Sequence, residues 1–381
     1  MKKIAILALH LGYGGTERAV ISEANLLSEF CDVEIYSLYQ VLKQPAFTVN
    51  DKVKVTYLAK GLKPNKEELR EAIRRKNPFK LFWECCKSAY ILYLRRSLMI
   101  DAVKNCDADI IISSRYMYHK LLTKYAKPGV ICIAQEHNHH NNDKKYIKQQ
   151  VEAVKDMDYF MPVSQELTDF YAARVPSNVT CKYIPHHLEY LPVESAPLTH
   201  KNIICVGRLS AEKGLDELLL VFNELIRKYP DWTLHLVGDG EERSNLERLI
   251  SDLALGDKVV LHGYQSRDNV NRLLLQSSIY LMTSHTESFG LVLIEAQACG
   301  LPCVAYASAQ GAHEIITNGE NGVLIPNRNR ELMVETVSRL IEDEDYRRRL
   351  GQAGKETAKE YSTERVRDKW SAFINSLSTK E

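Results

Sequence analysis

The sequence predicts an α/β protein made of two parallel-sheet domains. Short apolar runs alternate with helix-like patterns along the whole chain, and continuous apolar strands between helices belong to parallel sheets covered on both faces. The runs fall into two series, separated at residues 189–200, where Pro192, Ser195 and Pro197 stand without periodicity. At 381 residues the chain is too long for one ordinary α/β core and comfortable for two.

In the first series, residues 4–9, 33–38, 53–58, 110–113 and 130–134 read as strands, and 159–163 and 181–184 complete it. The second series is 202–206, 233–237, 258–261, 279–283 and 302–305. The opening run is short, is interrupted by His10 and has no small-x-small cleavage site, so it reads as a buried strand and not as a signal peptide. The longest apolar candidate for a membrane span, residues 89–100, is broken by Arg95 and Arg96. Ser362 or Thr363 starts a last helix that carries Val366, Trp370 and Phe373 at helical spacing. The formal charge of +1 argues against a dedicated nucleic-acid binder. The 9 cysteines form no CxxC pair and scatter through apolar strands, which argues against a disulfide framework or a zinc site and for a reducing cytoplasm.

Three stretches carry chemistry. In Thr286-Glu287-Ser288-Phe289-Gly290-Leu291-Val292-Leu293-Ile294-Glu295, a loop after a strand turns into a helix that Gly300 closes, with Pro302 beyond. That helix is apolar nearly all round and should be buried, so Glu295 needs either the hydroxyls of a ribose or a basic partner. Glu287 at the helix mouth either accepts from sugar hydroxyls or lies on the surface, and the amides of the first turn suit an anion. In Gly207-Arg208-Leu209-Ser210-Ala211-Glu212-Lys213-Gly214, a lysine at the start of the next helix is badly placed for the helix dipole. It makes sense if Arg208 and Lys213 hold a diphosphate between them; otherwise both are solvated. Gly12-Tyr13-Gly14-Gly15-Thr16-Glu17 follows the first strand, its glycines admitting a ligand and Thr16 able to cap a helix. It fails the dinucleotide fingerprint because Glu17 stands at the third glycine position, which disfavours a nicotinamide enzyme.

Weaker signals accompany these. Gly238-Asp239-Gly240 and His262-Gly263-Tyr264 follow strands, where a base can sit or where the chain simply turns. The histidines at 137–140 and 186–187 are either solvated loop residues or a metal set whose geometry spacing does not show. Residues 60–104 are basic, with Lys63, Lys66, Arg70, Arg74, Arg75, Lys76, Lys80, Lys87, Arg95 and Arg96 interleaved with Phe79, Leu81, Phe82, Trp83, Tyr90, Ile91, Leu92, Tyr93 and Leu94. Such a stretch either lies on an anionic membrane surface or forms helices with a solvated basic face.

The chain resembles the retaining glycosyltransferases of family 4, which have the GT-B fold. Gly207-Arg208-Leu209 with Lys213-Gly214, Gly238-Asp239-Gly240, Glu287 to Glu295 with Gly300-Leu301-Pro302, Gly311-Ala312-His313-Glu314 and Asn321-Gly322 carry the resemblance. It implies two Rossmann-like domains facing across a cleft, residues 1–188 completed by 363–381, and 189–362, with the final helix crossing back. It implies that Glu287 contacts the donor sugar, Glu295 the ribose, and Arg208 and Lys213 the diphosphate, with amides near Ser288, Phe289, Gly290 and Leu291. Gly14 and Gly15 would close on the donor, His137 would lie near the reacting sugar, and Ser164 matches a serine of the family. Pro185-His186-His187-Leu188-Glu189 departs from the Asn-Gly-hydrophobic-Asp stretch that members often carry.

The resemblance further implies transfer with retention, without a metal or other cofactor, from a nucleotide sugar to a glycan or lipid-linked acceptor. A uridine diphosphate sugar leads, and a role in surface-polysaccharide or glycolipid synthesis at the cytoplasmic face of the membrane is expected. Three other readings compete. A nucleotide-sugar epimerase would convert donor without acceptor, a silent subunit would not turn over, and a transferase could use a soluble acceptor.

Overall fold

The structure is a computed structural model that describes residues 1–62 and 65–377. Lys63 and the side chain of Lys66, counted above in the basic stretch, lie outside the described residues. The chain divides into two compact units, Met1–Ile184 together with residues from 367 onward, and Pro185–Val366.

The first unit runs β1 (Lys3–His10), α1 (Gly15–Leu27), β2 (Asp32–Tyr39), β3 (Val53–Ala59), α2 (Lys66–Arg74), α3 (Pro78–Asn105), β4 (Ile110–Ser113), α4 (Tyr116–Tyr125), β5 (Ile131–Glu136), α5 (Lys144–Val154), β6 (Tyr159–Pro162), α6 (Gln165–Ala172) and β7 (Thr180–Cys181). Its sheet is parallel, in the order β3-β2-β1-β4-β5-β6-β7. Ile4 lies beside Val33 on one flank and Ile110 on the other. Every residue of β4 and β5 is buried, which is why both read as unbroken apolar runs. Burying side chains such as Ile6, Ile35 and Ile112 contributes about 1.5–3 kcal/mol each. The last strand is shorter than the apolar pattern at 181–184 suggests. Lys182 makes a final bond to Phe160 O, and Pro185 has no N–H with which to prolong the ladder. Ser164 caps α6, accepting from Leu167 N at 3.2 Å.

The second unit runs β8 (Asn202–Val206), α7 (Leu215–Lys228), β9 (Thr233–Val237), α8 (Arg243–Asp252), β10 (Val259–Leu261), α9 (Arg267–Leu275), β11 (Ile279–Met282), α10 (Leu291–Ala298), β12 (Cys303–Tyr306), α11 (Gly311–Ile315), β13 (Val323–Ile325), α12 (Arg330–Glu342) and α13 (Glu344–Ala358). Its parallel sheet has the order β10-β9-β8-β11-β12-β13. The sequence pattern does not disclose β13, since three residues are too few for periodicity. Residues 189–200 form a packed rim of this unit. Ala196 and Leu198 are buried, Ala196 N donates to Cys299 O at 2.8 Å, and Lys355 binds Glu194 O and Ser195 Oγ.

The last helix, α14 (Thr363–Ser376), starts at Ser362, whose Oγ accepts from Arg365 N at 3.4 Å. Its residues from Arg367 belong to the first unit, where Phe373 stands edge-on to Tyr159 at 5.0 Å.

Candidate active site

Each sheet has one point where neighbouring strands send their connections in opposite directions: between β1 and β4, and between β8 and β11. Ligands of open α/β sheets bind beyond the carboxyl ends of strands at such points.

In the second unit, Val206 ends β8 and the chain continues through Gly207, Arg208 and a single 3-10 turn, Ala211–Lys213, into α7. Leu209 anchors the loop in the core. The Lys213 side chain folds back over Gly207, where an added Cβ would lie 3.7 Å from Lys213 Cε. Lys213 Nζ donates to Glu287 Oε2 at 2.6 Å, and each side chain is about one-fifth exposed (20% and 17%). The two loops are also tied through the backbone, His285 N donating to Glu212 O at 2.8 Å. Glu287 O accepts from Gly311 N at 2.8 Å. Arg328, unremarkable in the sequence, braces this loop: its guanidinium donates to Thr283 O and Ser284 O and pairs with Glu217 at 2.9 Å. Only the fold places it there, 45 residues from Thr283.

Several glycines are required by this geometry, Gly238 and Gly290 among them. Gly238 has φ 139°, and a Cβ on it would fall 1.9 Å from Gly207 O. Gly290 has φ 94° and is the N-cap of α10, where it makes no side-chain cap. Gly214 caps α7 and Gly14 caps α1 in the same way. By contrast Asn77, Asp143, Ser164, Ser266, Asn329 and Asp343 cap their helices with side-chain hydrogen bonds. The first-turn amides of the three glycine-capped helices therefore have no capping side chain.

Several expectations need correction. Helix α10 is not buried all round: Leu291, Val292 and Glu295 are half-buried and share one side, so Glu295 looks out of the core and carries no full burial cost. Thr16 does not cap α1, which already begins at Gly15 with Gly14 as its cap. Nor do the two basic side chains of the first loop behave alike. Lys213 is held by Glu287, whereas Arg208 is exposed and makes no ion pair or side-chain hydrogen bond among the described residues. Gly263 pairs back to Gly238, accepting from its N–H at 2.9 Å, and Tyr264 is exposed. Ser288 lies in the same loop as Glu287, and Phe289 is buried with His186 edge-on at 5.3 Å.

In the first unit, the glycine loop follows β1. Gly12 N donates to His10 Nδ1 at 3.2 Å, and a Cβ on Gly15 would meet no atom within 4 Å. Glu17 is buried and pairs with Arg115 at 2.7 Å, with His10 at 3.7 Å. His137 stands immediately after β5, both ring nitrogens shielded from solvent; burial first, and then the charge of Arg115, lowers its pKa to about 4. His119, which no motif marks, is fully buried and shares a 2.6 Å hydrogen bond with Ser113 Oγ. Burial, with His137 beside it, lowers its pKa to about 3. His139 and His140 are turn residues whose Nδ1 atoms accept backbone N–H groups from Asn141 and Asn142. No three His, Cys, Asp or Glu side chains converge as a metal set among the described residues.

Two parallel-sheet α/β units of this kind are the architecture of the GT-B glycosyltransferases. HepE of Anabaena, solved with UDP and glucose, aligns with TM-score 0.74 at 17% identity, covering 99% of this chain and 100% of its own. Residues 189–357 match the family described as glycosyl transferases group 1. An uncharacterized glycosyltransferase of Haemophilus influenzae is 29% identical over 98% of this chain and 100% of its own. An exopolysaccharide phosphotransferase of Streptomyces coelicolor is 28% identical over 96% of this chain, which spans 39% of that protein's length.

Proposed function

We propose that the chain transfers a hexosyl group, with retention, from a nucleotide-diphosphate sugar to a hydroxyl of a glycan or lipid-linked acceptor in surface-polysaccharide or glycolipid synthesis. The observation that carries this is the Lys213–Glu287 pair beside the glycine-capped start of α10, at the switch point of the second sheet. A diphosphate calls for cations and backbone amides, and a sugar for carboxylate acceptors; Lys213, the first turn of α10 and Glu287 are groups of these kinds and support the reading. UDP is the leading carrier, in keeping with the UDP and glucose bound to HepE. The name of the Streptomyces relative favours exopolysaccharide as the product class.

In this reading Arg208 and Lys213 stabilise the charge that develops on the diphosphate, without a metal. Glu287 accepts from sugar hydroxyls and Glu295 from the ribose, while Gly207, Gly238, Gly263 and Tyr264 border the nucleotide. The bond from the anomeric carbon to the phosphate oxygen breaks as the acceptor oxygen bonds the same face of that carbon. The acceptor proton passes to the departing phosphate oxygen. His137, neutral at pH 7, exchanges hydrogen bonds with a sugar hydroxyl without adding charge.

The test is a nucleotide-sugar screen that reads thermal shift and slow donor hydrolysis, first in the wild type and then in Lys213→Ala. Stabilisation by one nucleoside diphosphate sugar, with hydrolysis lost in the variant, is expected. Hydrolysis at the wild-type rate in Lys213→Ala overturns the reading, and sugar conversion without acceptor replaces it with an epimerase.

A further inference from the structure

The helix α3 is apolar on two opposite faces, and only one of them is used. Ile91, Met99, Ala102 and Val103 point into the first unit and are buried. Phe79, Phe82, Trp83, Tyr90 and Tyr93 recur at helical spacing on the other side and stand in solvent, with exposures of 87% at Phe79 and 70% at Trp83. The row from Phe79 to Tyr93 runs about 21 Å at 1.5 Å per residue. A contiguous aromatic face of that length marks an interaction surface.

The charges along the aromatic row of α3 are basic, and the exposed Asp101 lies about 12 Å beyond Tyr93. Between residues 78 and 100 the single acid is Glu84, which is buried and accepts from Asn65 Nδ2 at 2.7 Å. Lys87 and Arg96 flank the aromatic row, are exposed, and make no ion pair or side-chain hydrogen bond among the described residues. We infer that α3 lays its Phe79–Tyr93 face into an anionic lipid surface, with Lys87 and Arg96 against the headgroups. Aromatic rings with polar tips suit the headgroup boundary, and the flanking cations add attraction that depends on anionic lipid. A second copy of the chain fits less well. Bringing two such faces together sets cations of one against cations of the other, with no exposed carboxylate on the face to offset them.

The inference concerns where the acceptor is met and is independent of the donor chemistry proposed above. Trp83 reports on it directly, because Trp232 and Trp370 are buried. The full chain is mixed with phosphatidylcholine vesicles with and without phosphatidylglycerol, and sedimentation and tryptophan emission are read. Sedimentation should rise about tenfold or more with the anionic lipid, and Trp83 should shift to the blue and be quenched by brominated acyl chains. The variant Phe82→Ser with Trp83→Ser and Tyr90→Ser should stay in the supernatant, and Lys87→Glu with Arg96→Glu should bind both vesicles alike. In both variants melting temperature and donor hydrolysis should stay at wild-type levels, so lost binding is not lost folding. Equal sedimentation of the wild type and the aromatic variant overturns the inference. So does a dimer that the aromatic substitutions dissolve while vesicles leave the wild type unbound.

Discussion

The two sheets end alike and differ in chemistry. Each presents its switch point with a glycine-capped helix, Gly14 before α1 in the first unit and Gly290 before α10 in the second. At the second sheet the charged groups Lys213, Glu287 and Arg208 remain at least partly exposed. At the first sheet His119 is fully buried, the ring nitrogens of His137 are shielded from solvent, both rings are held neutral, and Glu17 is already satisfied by Arg115. In the reading proposed above, the second-sheet end would meet the charge that develops on the donor, and the first-sheet end would add none.

The largest expected effect breaks the charged end. Lys213→Ala should cut transfer about 10³-fold, the size expected for losing a preorganised group that meets the leaving charge. Glu287→Gln separates two roles, since it frees Lys213 while removing an acceptor for sugar hydroxyls. Turnover measured for both, with melting temperature as control, tests whether the pair acts on the donor; an unchanged rate in Lys213→Ala denies it.

Next is a contrast between glycines. Gly238→Ala places its Cβ against the Gly207 carbonyl at a positive φ and should destabilise the second unit by about 3 kcal/mol. Gly15→Ala meets nothing and should leave stability within about 0.5 kcal/mol, while lowering turnover if a ligand approaches that backbone. Urea unfolding of both variants and donor hydrolysis by Gly15→Ala are the measurements.

These residues also show how far the sequence could be read. The strands were legible because burial on both faces leaves unbroken apolar runs such as 110–113 and 130–134, and the loops were legible because glycine turns follow those runs. What was not legible is pairwise. Lys213 and Glu287 are 74 residues apart, and spacing carries no information about which carboxylate a lysine meets. Composition made α10 look buried, although burial depends on which neighbours cover which side, and Glu295 lies on the open one. His119 sits in a plain helical pattern and acquires its character from its full burial, with His137 beside it and Ser113 Oγ on its Nδ1. The aromatic face of α3 was half-legible: the residues were visible, but not the fact that the opposite face alone is used.

The neutral end makes a pH prediction. His119 and His137 titrate near 3 and 4 in the folded protein and from 6.5 in the unfolded chain. Between those values the unfolded state holds more protons, so stability is full above pH 6.5 and falls as pH drops, by about 1.4 kcal/mol per unit for each ring. Glu23, raised by burial to about 7, acts in the opposite sense. From 4.5 to 7 the folded state holds its extra proton, and stability falls as pH rises. His119→Gln should therefore flatten the loss of stability between pH 6.5 and 4.5, and Glu23→Gln should steepen it. Urea midpoints across that window decide; parallel curves for all three proteins would mean that these groups are not shielded as described.

The smallest expected effect on stability is that of Arg208→Ala. An exposed guanidinium with no ion pair among the described residues holds nothing in place, so the melting temperature should not move and the free energy should change by less than about 0.5 kcal/mol. Its effect belongs to the ligand. If Arg208 meets the diphosphate and not the base, UDP affinity should fall about tenfold at low salt while uridine affinity is unchanged. An exposed charge is screened, so the gap between variant and wild type should narrow as ionic strength passes about 0.15 M. Lys213, only one-fifth exposed and close to Glu287, should keep more of its effect at that salt. Equal salt dependence for Arg208→Ala and Lys213→Ala would remove the distinction drawn here between a steering cation and a seated one.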